Sequence, residues 1–271
     1  MDLLSLFAVL DPKGVIGLAE RTLMVQATLF MLIVAVPVFI LTFFFAWYYR
    51  AGNTKAKYTP DWEHSKMEEL IWWAIPFEIV LILGALTWTS THELDPPRPI
   101  GQIAPLVVQV VALDWKWLFI YPEQNIATVN YVAMPVGRPV RFEITADAPM
   151  NAFWIPSLGG QIYAMTGMVT KLHLVANEAG EFAGRSSNYS GEGFAHMQFV
   201  AHAISQEEFE EWTIATKASS RYLNRQEYER LSSPSVAEAP MFYSGFESNL
   251  YDTIVMQFMP TMSFGAHSRS H

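Results

Sequence analysis

Residues 22–49 contain no charged side chain, and this feature limits what the first part of the chain can fold into. The run reads TLMVQATLFMLIVAVPVFILTFFFAWYY, whereas an α-helix needs only about 20 apolar residues to cross the hydrocarbon layer of a bilayer. Pro37 lies near its middle and predicts a kink. The aromatic residues at 47–49, followed by Arg50, are typical of a helix end at a membrane surface. A buried helix of a soluble protein is the alternative, but uncharged runs of this length are rare outside bilayers.

A second apolar run, LIWWAIPFEIVLILGALTWTST, occupies residues 70–91 and predicts a second transmembrane helix. It contains Pro76, tryptophans near both ends and one charged side chain, Glu78. A carboxyl group inside a span is costly and usually faces a protein interior rather than lipid.

The charge of the loop between the two runs, residues 50–69, predicts the orientation of both helices in the membrane. Its basic residues are Arg50, Lys55, Lys57 and Lys66, whereas the stretch 91–100 has only Arg98. Loops rich in lysine and arginine remain on the cytoplasmic side. The sequence therefore predicts a two-pass membrane protein with a cytoplasmic loop and with residues 1–21 and the C-terminal region outside; in a bacterium this means the inner membrane and the periplasm. No basic n-region with a cleavage site precedes the first run, so we expect no signal peptide in this chain.

The region after the spans has the composition of a β-domain. Residues 92–104 contain DPPRP and form a predicted linker, because prolines exclude helix continuation. Within 105–204, β-branched and aromatic residues predict strands at 106–113, 115–121, 127–135, 139–147, 171–177 and 196–204. Many short strands separated by Gly and Pro indicate a β-sandwich or barrel.

Residues 205–271 form a predicted helical C-terminal extension. Helical spacing with charged faces predicts one or two short surface helices within 205–233, and another helix near 247–259. The predicted fold is thus a membrane-anchored all-β protein with two transmembrane helices, a β-sandwich and a short helical C-terminal region.

Composition excludes several classes of function. The chain has no cysteine, which rules out disulfides, thiolate metal sites and cysteine nucleophiles. Its net charge of −9 argues against nucleic acid as a partner, because such proteins cluster Lys and Arg on one face.

Five stretches carry a resemblance to a known family. They are LDPKGVIGLAER (10–21), DWEHSKMEELIWWAIP (61–76), LDWKWLFIYPEQNIATVN (113–130), MNAFWIPSLGGQIYAMTGM (150–168) and SNYSGEGF (187–194). Together with the two spans, they resemble subunit II of the haem–copper respiratory oxidases, and within these the cytochrome bo-type ubiquinol oxidase branch. The resemblance implies a cupredoxin-like β-domain at 105–204 and a non-redox subunit of a proton-pumping quinol oxidase.

The same resemblance implies the partners. The chain would dock on the catalytic subunit I, which holds the haems and copper, with subunits III and IV, the lipid bilayer and ubiquinol as the substrate of the complex. No cofactor is expected in this chain. Members of this branch are often acylated on a cysteine before the first span, and we expect no such anchor here because the chain has no cysteine.

In copper-bearing relatives the β-domain holds a dinuclear copper centre. Its ligands are an early histidine and a Cys-x-Glu-x-Cys-x3-His-x2-Met loop, in which the glutamate binds through its backbone carbonyl. The resemblance places these six positions at Asn151, Ser186, Asn188, Ser190, Phe194 and Met197. Copper electron-transfer sites need thiolate and imidazole ligands, so the sequence predicts a degenerate site without metal. Met197 is expected to pack in the core, and His173, His196 and His202 are expected to be ordinary histidines that share no ion.

Two carboxylates are candidates for proton uptake. Glu69 lies seven residues before Pro76, at the cytoplasmic start of the second span. Taken alone it is an ordinary interfacial acid, but the resemblance implies the mouth of a proton-uptake channel that leads into subunit I. Glu78 lies roughly 13 Å further along the helix, and we expect it on nearly the same helix face as Glu69. A structural role and a proton role for Glu78 remain open.

Trp115 and Trp117 correspond to an aromatic cluster that passes electrons in copper-bearing relatives. Without copper, we expect them to pack between the sandwich and subunit I. Two alternatives to the main interpretation remain at this point. One is subunit II of a cytochrome c oxidase, against which the missing cysteines argue, and the other is a membrane-tethered periplasmic binding or assembly module.

Overall fold

A computed structural model describes residues 8–57, 59 and 63–259 of the chain. Predictions for residues 1–7, 58, 60–62 and 260–271, which include both chain ends, lie outside the described residues. The chain divides into two compact units, one formed by Arg21–Asp95 and the other by the flanking residues.

Two long helices account for the two apolar runs. Helix α1 spans Val15–Tyr48 and helix α2 spans Lys66–Glu93. Both are long and apolar enough to cross a membrane, and no residue of their most apolar windows is buried. Ser65 begins α2 as its N-cap, with its hydroxyl accepting a hydrogen bond from the backbone N–H of Glu68.

The described residues after α2 form a two-sheet β-sandwich. Its strands are β1 (Leu106–Leu113), β2 (Lys116–Tyr121), β3 (Ile126–Val129), β4 (Tyr131–Pro135), β5 (Val140–Ala146), β6 (Asn151–Trp154), β7 (Ile162–Ala164), β8 (Thr170–Leu174), β9 (Gly180–Ser186), β10 (Gln198–Ile204) and β11 (Met241–Tyr243). One sheet has the order β11-β3-β2-β1-β5-β8 and the other the order β4-β10-β9-β6-β7. The β1–β5 and β4–β10 pairs are parallel and the other pairs are antiparallel.

The main core lies between the two sheets and is rich in aromatic rings. Phe153 stacks on Phe199 with ring centroids 5.1 Å apart, and Trp117 meets both rings edge-on. Such contacts add about 0.5–1.5 kcal/mol each to the free energy of area burial. The predicted sandwich is therefore confirmed.

A second core covers the outer face of the six-stranded sheet. The C-terminal extension folds into α3 (Gln206–Lys217), α4 (Arg225–Ser232) and α5 (Leu250–Gln257), and the last two bury apolar side chains against β1, β2 and β3. The helices were predicted from their spacing, and those within 205–233 lie on the surface as expected, with one face of each buried. Strand β2 is buried along its whole length, which explains why its sequence is continuously apolar instead of alternating.

Lys116 fastens the extension to the sheet. This buried side chain donates hydrogen bonds from Nζ to the backbone carbonyls of Leu231 and Ser233, each at 2.8 Å. Burial lowers the pKa of the Lys116 ammonium group, against the opposing effect of the nearby Glu238 and Asp114 carboxylates. A cation at the end of α4 also matches the partial negative charge of a helix C-terminus.

The strand predicted at 127–135 is in fact two strands in different sheets. Asn130 breaks it with a positive φ of 55°, a conformation that Asn tolerates better than most residues. Its side chain accepts a hydrogen bond from the backbone N–H of Trp117 and donates one to the carbonyl of Glu238, both at 2.9 Å. The chain therefore crosses from one sheet to the other at a fixed point.

Edge strand β8 and the residues after it hold the segments that lead into α1 and out of α2. Gly14, just before α1, forms an antiparallel bridge with Ala176. The carbonyl of Pro96, in the linker after α2, accepts a hydrogen bond from the backbone N–H of His173 and lies 3.1 Å from its ring Nδ1. A sheet edge that would otherwise expose unpaired backbone groups is covered by these contacts.

Gly14 is expected to tolerate no side chain. A Cβ atom there would lie 2.4 Å from the carbonyl oxygen of Leu158 and 2.8 Å from that of Val175. We expect Gly14→Ala to lower the free energy of unfolding of the β-domain by about 1–3 kcal/mol, the usual cost of overpacking. Thermal unfolding of the purified chain in detergent, followed by circular dichroism, measures this. Gly52→Ala is the matched control, because nothing lies within 4 Å of its Cβ position; equal unfolding temperatures for the two variants would contradict the prediction.

Candidate functional site

Strand pairing brings two of the six degenerate copper positions together. Asn151 begins β6 and Ser186 ends β9, and these strands pair with Phe153 opposite Ser186. Both side chains are buried. The Ser186 hydroxyl donates to Asn151 Oδ1 at 2.9 Å. A neutral hydroxyl–amide pair thus stands where copper-bearing relatives have a thiolate and an imidazole.

The side-chain amides of Asn151 and Asn188 donate hydrogen bonds to backbone carbonyls. Asn151 Nδ2 donates to the carbonyl of Pro149 at 2.7 Å, and Asn188 Nδ2 donates to that of Met150 at 2.9 Å. The carbonyl oxygen of Asn188 lies 3.3 Å from the Ser186 hydroxyl. The Asn151 amide therefore binds its own segment, whereas the Asn188 amide links the loop after β9 to the segment before β6.

The last three positions differ in their surroundings. Ser190 is buried, and among the described residues its hydroxyl has no hydrogen-bond partner. Phe194 is half-buried and contacts the ring of Tyr189 at a centroid distance of 5.7 Å. Met197 is fully buried in the main core, as predicted.

Trp115 covers this loop, and sequence reasoning missed that role. Its indole N–H donates to the carbonyl of Ser190 at 3.1 Å. A Cβ atom on Gly193 would lie 2.3 Å from the indole ring, and Gly191 has a positive φ of 112°. The two glycines of the loop are the signal for such a close approach. Trp117 is fully buried in the core, so its predicted position between the sandwich and subunit I was wrong.

The three histidines of the β-domain lie in separate environments. His173 is buried beside Pro96, and His196 is exposed on a 3₁₀ turn, Phe194–His196, that precedes β10. His202, on β10, stacks on Tyr131 at 4.5 Å, with its Nδ1 3.6 Å from Glu181. Within the described residues, no group of three or more His, Asp or Glu side chains could hold a metal ion.

The membrane-segment carboxylates lie on opposite faces of α2. Glu69 is in the first turn, with Oε1 3.6 Å from Nδ1 of His64, and Glu78 is exposed nine residues later in the same continuous helix. Nine residues correspond to two and a half turns at 3.6 residues per turn. The expectation that both carboxylates share one face was therefore wrong.

Comparisons with known proteins give the family. Residues 122–204 match the family described as cytochrome c oxidase subunit II, periplasmic domain, and residues 217–262 match the COX aromatic rich motif. Over 249 residues the chain is 51% identical to cytochrome bo(3) ubiquinol oxidase subunit 2 of Pseudomonas aeruginosa, covering 92% of this chain and 75% of that protein. The chain belongs to the ubiquinol oxidase subunit 2 family.

Two further similarities are with another curated relative and with a solved structure. Ubiquinol oxidase subunit 2 of Acetobacter aceti is 48% identical over 254 residues, which cover 92% of this chain and 82% of that protein. Among solved structures, the periplasmic domain of subunit II of cytochrome oxidase of Bradyrhizobium japonicum is 22% identical, with a TM-score of 0.41, over 43% of this chain and 96% of that one.

Membership in the ubiquinol oxidase subunit 2 family decides between the alternatives that the sequence left open. The chain is a subunit of a ubiquinol oxidase, not of a cytochrome c oxidase, and not a free-standing tethered module. Its two apolar helices are transmembrane helices of a respiratory haem–copper oxidase subunit.

The residues at the degenerate site do not fit the copper centre of the related cytochrome c oxidases. The six positions offer hydroxyls, amides, a phenyl ring and one thioether, whereas a copper electron-transfer site needs thiolate and imidazole. The Met197 thioether is a soft ligand but has no thiolate or imidazole beside it among the six positions. In this ubiquinol oxidase subunit the loop is held by hydrogen bonds and by Trp115.

Proposed function

We propose that the chain is a copper-free, non-redox subunit II of a proton-pumping ubiquinol oxidase, which couples quinol oxidation to the reduction of oxygen to water. The main support for this proposal is the hydrogen bond from Ser186 to Asn151. It joins two neutral side chains at positions where the resemblance expects a pair of copper ligands. The haems and copper reside in subunit I, and subunits III and IV complete the complex.

The change of electron donor gives a physical reason for losing the metal. Cytochrome c is water-soluble and delivers electrons from the periplasm, so its oxidases need a relay in the β-domain. Ubiquinol is lipid-soluble and reaches the oxidase within the membrane. The β-domain then keeps its fold for docking on subunit I and has no electrons to carry.

The proposed orientation in the membrane is based on the basic residues of the loop between the two helices. The basic loop 50–69 lies in the cytoplasm of a bacterium, and the β-domain lies in the periplasm. The spans expose apolar side chains along their length, among them Trp72 and Trp73, and these faces pack on subunit I and against lipid. Small shifts at such a helix contact alter assembly before they alter the soluble domain.

Glu69 contributes to proton uptake for the oxygen-reduction site. It stands in the first turn of α2, next to the cytoplasmic loop, and its carboxylate is about half exposed. A carboxylate at such a position can collect and relay protons. The family resemblance supports this role for Glu69.

Glu78 serves another purpose than Glu69. It lies on the opposite face of α2, within the apolar part of the span, so it cannot continue a path that begins at Glu69 along one side of the helix. A carboxyl group at this depth needs a hydrogen-bonding partner from another subunit. Glu78 is therefore assigned to contact with a neighbouring subunit, and its replacement by leucine should reduce co-purification more than turnover.

Copper titration tests the non-redox assignment. The chain is purified alone in detergent and titrated with Cu²⁺ while the visible spectrum and the bound metal are recorded. We expect neither an intense thiolate–copper absorption band nor stoichiometric binding, since the donor set lacks thiolate and imidazole. A tight complex of defined stoichiometry, abolished by Met197→Leu, would falsify the assignment.

A further inference from the structure

A cavity of about 390 Å³ lies between the start of α1 and the loop that follows β6. Its lining includes Pro12, Gly17, Glu20, Trp154, Gly160 and Gln161. The cavity exists because the N-terminal segment docks on this loop, where the backbone N–H of Gly17 donates to the carbonyl of Leu158 at 3.0 Å. None of these groups takes part in the functions assigned above.

Its position along α1 places the cavity at the level of lipid headgroups. Glu20 stands two residues before the uncharged run 22–49, a rise of about 3 Å along a helix. A carboxylate so close to the start of the hydrocarbon layer lies in the interfacial region, where lipid phosphates and ammonium groups are found. The ligand that reaches such a cavity most readily is therefore part of a phospholipid.

The chemistry of the lining selects a cationic headgroup. The Glu20 carboxylate accepts a hydrogen bond from the backbone N–H of Gly160, which uses one of its roughly four acceptor positions. Among the described residues, no Lys, Arg or His lies within 4.0 Å of this carboxylate. A partly desolvated carboxylate beside apolar walls favours a cation with N–H donors.

Trp154 adds two further features. Its ring forms one wall of the cavity, and aromatic faces attract ammonium groups. The guanidinium of Arg185 lies 5.8 Å from the centre of the same ring. Arg185 does not line the cavity, but its guanidinium and the Glu20 carboxylate both lie near Trp154, and these two charges match those of a zwitterionic headgroup.

We propose that this cavity binds the headgroup of phosphatidylethanolamine. The ammonium group contacts the Glu20 carboxylate, and the phosphate lies toward Arg185. The proposal does not depend on the proton role of Glu69 or on the copper-free site, because it uses only the start of α1 and the loop after β6.

Lipid retention by the purified complex tests the proposal. The complex is reconstituted in nanodiscs containing equal amounts of phosphatidylethanolamine and phosphatidylcholine, extracted in mild detergent, and its retained lipids are quantified by mass spectrometry. We expect the wild type to retain phosphatidylethanolamine in excess, and Glu20→Gln to reduce this preference about tenfold, the equivalent of one charge-assisted hydrogen bond. Asp11→Asn is the matched control, because it removes a carboxylate from the same segment without touching the cavity.

A methylation series on the wild type avoids any effect of the variant on folding. Phosphatidylethanolamine is replaced in turn by its N-methyl and N,N-dimethyl forms and by phosphatidylcholine, each step removing one N–H donor. Retention should fall along the series in the wild type. Equal retention of all four lipids, preferential retention of phosphatidylglycerol, or an unchanged preference in Glu20→Gln would overturn the proposal.

Discussion

Replacing Glu69 by alanine is expected to slow steady-state quinol oxidation severalfold without changing the haem content or yield of the complex. Oxygen reduction consumes protons, and subunit I must draw them from the cytoplasm across protein of low dielectric constant. A carboxylate at the channel mouth raises the local proton concentration and shortens each uptake step. Without it, protons must enter directly from bulk water, so we expect proton uptake to limit turnover.

The exposed surroundings of Glu69 allow a change in the rate of quinol oxidation to be interpreted without a change in stability. Its side chain is 44% exposed, and its neighbour His64 is 82% exposed at 3.6 Å. An exposed pair of this kind contributes only about 0–1 kcal/mol to stability. Loss of the carboxylate therefore leaves the fold and the assembly intact, and a change in rate reports on proton movement.

Three further variants test whether the ionisable group of Glu69 and its position on the helix each matter for the rate. Glu69→Asp should retain more activity than Glu69→Gln, because an ionisable group matters more than side-chain length. Glu68→Ala is the matched control: it lies in the same first turn, about 100° around the helix, and should change little. Equal rates for the wild type, Glu69→Ala and Glu68→Ala would make Glu69 an ordinary interfacial acid.

Strands with a strong composition could be predicted from the sequence, and a strand held mainly by pairing could not. The run 106–113 consists mainly of β-branched and apolar residues and is strand β1 as predicted. Strand β9, GEFAGRS, contains no β-branched residue and forms because it pairs with β10 and β6. Its Gly184 is required by packing, since a Cβ there would lie 2.1 Å from the Phe199 ring.

At the candidate site, too, the sequence indicated which positions matter but not which of them come into contact. The family pattern marked Asn151 and Ser186 as corresponding positions, but their hydrogen bond depends on the register of β6 against β9. The role of Trp115 depends on a contact with Ser190, far along the chain. The helices of the extension were visible in the sequence, whereas the second core that they cover required knowledge of which sheet face they meet.

Introducing the copper ligands of the related oxidases is expected to create a copper centre in the β-domain. The combined changes Asn151→His, Ser186→Cys, Ser190→Cys and Phe194→His supply two thiolates and two imidazoles, and Met197 is already in place. We expect stoichiometric copper binding with an intense visible band from thiolate–copper charge transfer. The measurements are metal content and the absorption and paramagnetic resonance spectra of the purified chain after addition of Cu²⁺.

The structure gives two reasons to expect that the loop will accept the metal. Side chains 151 and 186 already approach within hydrogen-bond distance, at 2.9 Å, and the carbonyl of Asn188 points toward the Ser186 hydroxyl at 3.3 Å. Because the ligand at 188 acts through its backbone, adding Asn188→Glu should change copper content little. A variant that keeps Ser190 lacks one bridging thiolate and should not form the dinuclear centre. Failure of the four-residue variant to bind copper while it unfolds at the wild-type temperature would mean that the loop has lost the shape of the site as well as its ligands.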